Sequence, residues 1–216
     1  NLAKEMGAAA FILIDESLFT RYARYYKRKD QSDGETNLSL DVNSNPFYGF
    51  LVGDNIGNSL IQKKNGLYYN DIQIDYKNTY ESLMSENVVA LIPGYEKPNE
   101  YIVISAHLDH IGIHHGAVFN GADDDGSGTV AILEIAEAFQ KAVQNGDGPK
   151  RSILLLHVSA EEKGLLGSQY YTDFDPIVPL KNTVANLNID MIGRTDPKRK
   201  NGKRNYIYLI GSDKLS

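Results

Sequence analysis

Residues 101–139, YIVISAHLDHIGIHHGAVFNGADDDGSGTVAILEIAEAF, decide how this chain is read. An apolar run to Ala106 has the composition of a buried strand. A polar, glycine-containing loop follows, and from Ser127 the apolar residues recur at helical spacing. The strand delivers His107 at its end and Asp109 two residues later, on the same side. The loop delivers Asp123, Asp124 and Asp125 against the start of the helix. Imidazole with clustered carboxylates is the donor set of a hydrolytic divalent cation, zinc first among candidates.

Working outward, 216 residues allow one large domain or two small ones with a real core. Hydrophobic residues at 42% and charged residues at 23% are ordinary for a water-exposed globular chain. A net charge of -6 argues against a nucleic-acid partner. No apolar run reaches the length of a transmembrane segment. Cysteine is absent, so disulfides and thiolate metal sites are excluded, and any cation must take His and carboxylate ligands. The chain opens inside a helix–strand pattern and closes just after an apolar run, so a fragment at both ends is expected.

The first 84 residues predict a small α+β subdomain. Residues 2–10 read as a short helix leading into AAFILID, a buried strand. RYARYYKRKD, residues 21–30, reads as a solvated helix or loop rather than a phosphate patch. Residues 30–46 read as an exposed loop, FYGFLVGD as a strand and NIGNSLIQKK as a short helix. DIQIDYKNTY alternates like a half-exposed strand. A boundary falls near residues 83–87, and residues 85–216 form the second domain. NVVALIPGY and YIVISAH read as a hairpin-type pair, SILLLHVSA as a central strand covered on both faces, and GLLGSQYYTDF as a helix. VANLNIDMIG and, after a basic loop, YIYLIG read as further strands. The fold class is therefore α/β, a mixed, mostly parallel sheet with helices on both faces.

In such sheets, ligands bind outside the carboxyl ends of the strands. His107, Glu161, Glu162 and Asp190 all fall there, and the Asp123–Asp125 loop lies between strand and helix. Singly, each has an ordinary reading: a hydrogen-bonded core His, an elaborate helix cap, a wet Glu-Glu turn, an Asp closing a strand. Jointly, each following an apolar strand, they point to one site. A calcium loop, Asp123-x-Asp125-x-Ser127-Gly128 with Glu134, is the rival, but no helix precedes it and Glu134 falls two turns into the helix that follows.

The four segments HLDH, GADDDGSG, SAEEKGLLGS and NIDMIG, in that order, resemble the co-catalytic dizinc aminopeptidases. That family includes bacterial leucyl aminopeptidase, glutamate carboxypeptidase and the glutaminyl cyclases. The resemblance covers about residues 87–212, while residues 1–80 resemble, more faintly, part of a protease-associated domain. It implies two zinc ions per complete domain. His107 and Asp190 would bind one, Asp124 would bridge both, and Glu162 would bind the second. Glu161 would be the general base, and Asp109 would hydrogen-bond the far nitrogen of His107. It further implies a cis Asp124–Asp125 peptide, a peptide substrate with a free N-terminus, and a secreted or periplasmic location.

His110, His114 and His115 match no ligand position in that pattern, and exposed loop residues are the expectation for them. The resemblance places the second zinc's His in a loop beyond Ser216, so the chain is expected to bind zinc weakly or singly. A non-catalytic, peptidase-like interaction module is the alternative function, with cyclisation a minor one.

Overall fold

The computed structural model describes residues 2–29, 38–40, 47–61, 72–75, 81–200 and 202–211. The chain divides into two compact units, Asn1–Ser82 and Leu83–Ser216.

In the first unit, α1 (Leu2–Glu5) leads to β1 (Ala10–Ile14), α2 (Glu16–Lys29), β2 (Tyr48–Val52) and α3 (Asp54–Leu60). β1 and β2 pair in parallel, Ala10 opposite Tyr48 through Ile14 opposite Val52. The strand expected to be buried is only half covered. Phe11 and Leu13 alternate outward, nearly half exposed, as a two-stranded sheet leaves them among the described residues. α2 is the solvated helix expected of residues 21–29. Most of the expected loop 30–46 and of the alternating strand 71–80 lies outside the described residues, and residues 72–75 take no regular structure.

The second unit holds a four-stranded sheet in the order β3 (Val88–Ile92), β7 (Arg151–Val158), β4 (Lys97–His107), β8 (Thr183–Asn188). β4 runs parallel to β7 and β8, and β3 runs antiparallel to β7. The sheet is mixed as expected, but β3 and β4 do not form a hairpin. Both pair instead with opposite edges of β7, whose SILLLHV run is buried along its length and wants a neighbour on each side. The turn at Gly94 is tied to the start of β7, its amide donating to Ser152 Oγ at 3.0 Å. A small antiparallel pair, β5 (Gly112–His114) and β6 (Ala117–Phe119), stands apart. YIYLIG forms no strand: Ile207, Leu209 and Ile210 are exposed and pair with no ladder among the described residues.

Alternation along β4 and β7 sends residues to opposite faces. Ile104, Ala106, Ile153 and Leu155 pack with Ile132, Ile135 and Phe139 of α4 (Gly126–Gln144). Val103, Leu154 and Leu156 pack with Tyr171 of α5 (Leu166–Asp173) and with Val178. Ile132 is fully buried, and removing a side chain of that size from water contributes about 1.5–3 kcal/mol. The parallel register sets His107 opposite Val158 and Ser105 opposite Asn188, so three strands end at one rim.

Candidate metal centre

Each predicted site residue follows one of those strand ends. His107 closes β4, Glu161 and Glu162 come three and four residues after β7, and Asp190 comes two residues after β8. Ala160 and Met191, the neighbours of Glu161 and Asp190, hold left-handed φ angles of 54° and 56°. Such conformations cost about 1–3 kcal/mol each and persist where the surroundings impose them.

The three consecutive aspartates do three different things. Asp123 accepts the Gly193 amide at 2.9 Å and so pins the loop after Asp190. Asp125 is almost fully buried and accepts three amides: Gly128 at 3.0 Å, which caps α4, His107 at 3.1 Å and Met191 at 3.3 Å. It clamps helix, strand and loop together. Gly128 must be glycine, because a Cβ there would lie 2.4 Å from the Ile189 carbonyl oxygen and 2.5 Å from Asp125 Oδ1. Asp124, joined to Asp125 by a cis peptide as the resemblance implied, is left facing the rim. The calcium-loop reading fails here, since Asp125 is spent on backbone and Glu134 lies exposed within α4.

Two donor groups meet at Asp124. One is His107, Asp124 and Asp190, and the other is His110, Asp124 and Glu162; within each, the donor atoms lie within 4.8 Å of one another. His107 Nε2 is 3.1 Å from Asp124 Oδ1. His107 Nδ1 is 2.9 Å from the Asp109 carbonyl oxygen, which can only accept, so Nδ1 carries the proton. The expected contact from the Asp109 carboxylate is longer, 3.7 Å. That carboxylate instead accepts the amides of Glu161 at 2.9 Å and Glu162 at 3.1 Å, because the chain turns after Leu108 and presents its backbone to the ring.

His110 departs from the expectation of a solvent-exposed residue. Its side chain is only 18% exposed and its Nδ1 lies 2.9 Å from Glu162 Oε1 and 4.0 Å from Asp124 Oδ2. The two buried atoms form an ion-pair contact with each other and make no aligned hydrogen bond. HLDH placed a second imidazole near the first, but spacing alone does not show which way a turn sends it. His115 is exposed and His114 half-buried on β5, and neither falls in a donor group.

The metal-free rim favours positive charge. Burial lowers the His107 pKa, but the Asp109 carbonyl and the carboxylates of Asp125, Glu161 and Asp109 outweigh it, and the net shift is upward. Burial raises the Glu161 carboxyl, and repulsion from Glu162, Asp190 and Asp109 adds to it against the attraction of His107. Burial likewise raises Asp125 against its three amide bonds, with Asp190 adding repulsion. With His107 buried, His110, Asp124 and Glu162 half-buried and Asp190 exposed, this set of imidazole and carboxylate donors fits zinc.

A family model, Peptidase family M28, matches residues 87–207, more than half of the chain and all of this rim. The chain belongs to peptidase family M28. Among similar proteins, Leucine aminopeptidase 1 of Coccidioides posadasii is 38% identical over 129 residues, 57% of this chain and 32% of that protein. The Probable glutamate carboxypeptidase LAMP1 of Arabidopsis thaliana is 36% identical over 105 residues, 49% of this chain and 14% of that one. The chain thus spans a third or less of the length of these relatives. Among solved structures, LapB from Legionella pneumophila shares 36% identity over 52% of this chain and 28% of its own, with a TM-score of 0.41. BSAP, a zinc aminopeptidase from Bacillus subtilis, shares 30% identity over 50% of this chain and 24% of its own, with a TM-score of 0.39.

Proposed function

We propose that this chain carries the metal-binding rim of a zinc-dependent exopeptidase acting on peptides with a free N-terminus. His107 and Asp190 would hold one zinc, Asp124 would be shared, and Glu162 would serve the second. The observation that carries the reading is the contact of His107 Nε2 with Asp124 Oδ1 at 3.1 Å, with the other ring nitrogen already committed to a carbonyl. Nε2 is thereby left to face Asp124, where it can give its lone pair to a shared cation or, without one, hold a proton against the carboxylate. When bound, zinc supplies a Lewis acid that lowers the pKa of water and polarises a carbonyl.

The protein's own part is proton handling and positioning. Glu161 sits beside the rim with its carboxyl pKa already raised, a suitable base for taking a proton from water and returning it to the leaving amine. Asp109 fixes the turn that carries both Glu161 and Glu162 by accepting their amides. In the full-length protein, Glu161→Gln should lower kcat by about 10²–10⁴-fold with zinc content unchanged. Unchanged hydrolysis of an aminoacyl anilide would remove Glu161 as the base. Acetylating the substrate's amino group should abolish turnover, which separates an aminopeptidase from a carboxypeptidase.

The aminopeptidase and carboxypeptidase names among the relatives, and the filled ligand positions of this span, support an enzyme over a non-catalytic module. Residues 1–84 are proposed as part of a protease-associated domain, and the protein as secreted or periplasmic. The described residues contain no helix long and apolar enough to cross a membrane.

A further inference from the structure

We infer that His157, which lies outside the donor groups, is a positioning residue for the metal position at His107. It acts through the first turn of α4, by holding the Thr129 carbonyl. The inference rests on the zinc reading proposed above and extends it.

Asp124 directly precedes Asp125, the cap of α4, so the seating of the helix's first turn on the sheet fixes where Asp124 stands. That turn grips both main-chain groups of His107. The His107 amide donates to Asp125 Oδ2 at 3.1 Å, and Thr129 Oγ1 donates to the His107 carbonyl at 2.8 Å. Thr129 is held in its turn from β7. His157 Nε2 lies 3.1 Å from the Thr129 carbonyl oxygen, which can only accept, so Nε2 carries the proton and donates it.

The sheet shows why an imidazole here is informative. His157 stands opposite Ala106 in the β4–β7 ladder, one step before the pair of His107 with Val158. Paired residues share a face, so His157 points with Ala106 toward α4, into a layer built from Ile104, Ile132, Ile153 and Leu155. It is only 7% exposed. A polar ring in an apolar layer is unfavourable unless it is hydrogen-bonded, and leucine would fill the same space without that demand. The bond goes to the one helical turn that carries Asp124. A small slip of that turn changes the approach of Asp124 to His107, 3.1 Å apart, and ligand sets tolerate little such error. The competing account is a core histidine that only packs α4 on the sheet.

Zinc affinity of the full chain, by competition with a chromophoric chelator, and urea unfolding of the metal-free chain separate the two accounts. Cobalt(II) absorption reports the ligand geometry. His157→Leu keeps the bulk and removes the donor. It should leave the urea midpoint unchanged or higher, because an apolar residue suits the layer, yet weaken the zinc at His107 about 10–100-fold and alter the cobalt spectrum. Thr129→Val should weaken the same ion, and the double variant should bind little worse than either single one, since both break one chain of contacts. His157→Gln keeps an amide N–H for the carbonyl and should recover most of the affinity. Unchanged zinc affinity and cobalt spectrum in His157→Leu would overturn the inference and leave the zinc reading standing. Zinc affinity and metal-free stability falling together, with His157→Gln no better than His157→Leu, would also overturn it in favour of packing alone. No zinc bound by the parent chain would overturn both readings.

Discussion

The two halves of the rim share Asp124 but are built differently. His107 is the last residue of a strand held between two neighbours, 3% exposed in its side chain, with its amide on Asp125 and its Nδ1 on a carbonyl. Asp190 is tied into the same frame, since the Ile189 and Met191 amides reach Ser105 and Asp125. His110 and Glu162 lie beyond the strands, on turns. The Glu161–Glu162 turn is held by the Asp109 carboxylate together with the turn's own backbone bonds, and His110 packs over the hollow at Gly121. Sheet register places the first half, and side-chain bonds to loop backbone place the second. The first half should therefore tolerate loop changes that the second does not.

The strongest way to break the contrast is to remove what the halves share. Asp124→Ala should release both ions and lower hydrolysis by about 10³-fold or more, since the several kcal/mol of charge stabilisation from the metals is lost together. Zinc analysis of the purified variant checks it, and one tight ion retained would show that Asp124 does not bridge.

Next in size is the clamp of the first half. Asp125→Ala leaves the His107, Gly128 and Met191 amides without their acceptor and should cost about 3 kcal/mol in urea unfolding of the metal-free chain. Asp109→Asn tests the second half in the same assay. It should cost about 1 kcal/mol or less, because the carbonyl on His107 is untouched, yet weaken the Glu162 ion about 10-fold or more. Equal weakening of both ions would show that the halves are not independent.

The smallest effect is on pH dependence. The folded-state pKa values of His107, Glu161 and Asp125 are all raised, so the folded chain binds these protons more tightly than the unfolded one. Stability from these groups is present at low pH and is lost as pH rises through the folded values. The metal-free chain should thus lose thermal stability from the acid side toward neutrality, less so in Glu161→Gln, and zinc should restore it. Affinity at the His107 position should fall with acid, starting above the ordinary imidazole value of 6.5. A metal-free stability that instead rose from acid to neutral pH would contradict the crowded negative rim.

Much of this was legible along the chain because it depends on local pattern. An unbroken apolar run such as SILLLHV has one comfortable place, the middle of a sheet, and a polar residue directly after such a run must sit at the rim. His107, Glu161, Glu162 and Asp190 could be placed from that alone, and helix α4 could be placed from its spacing. What the pattern lacks is the direction of turns and the choice of strand partner. VVALI and YIVISAH looked like a hairpin because they are adjacent in sequence, but β7, far along the chain, offered each of them a better-buried edge. YIYLIG has strand composition but forms no ladder, and composition alone supplies no hydrogen-bond partner.

The sequence by itself determined the layered α/β class and the side of the sheet on which the acids and imidazoles gather, because burial and pleat period act residue by residue. Only the tertiary structure decided that Asp125 clamps while Asp124 faces the rim, that Asp109 holds the Glu161–Glu162 turn rather than the imidazole, and that His110 points inward. Those outcomes turn on angles at a few loop positions, such as Gly121, that are fixed by contacts between segments distant in the chain.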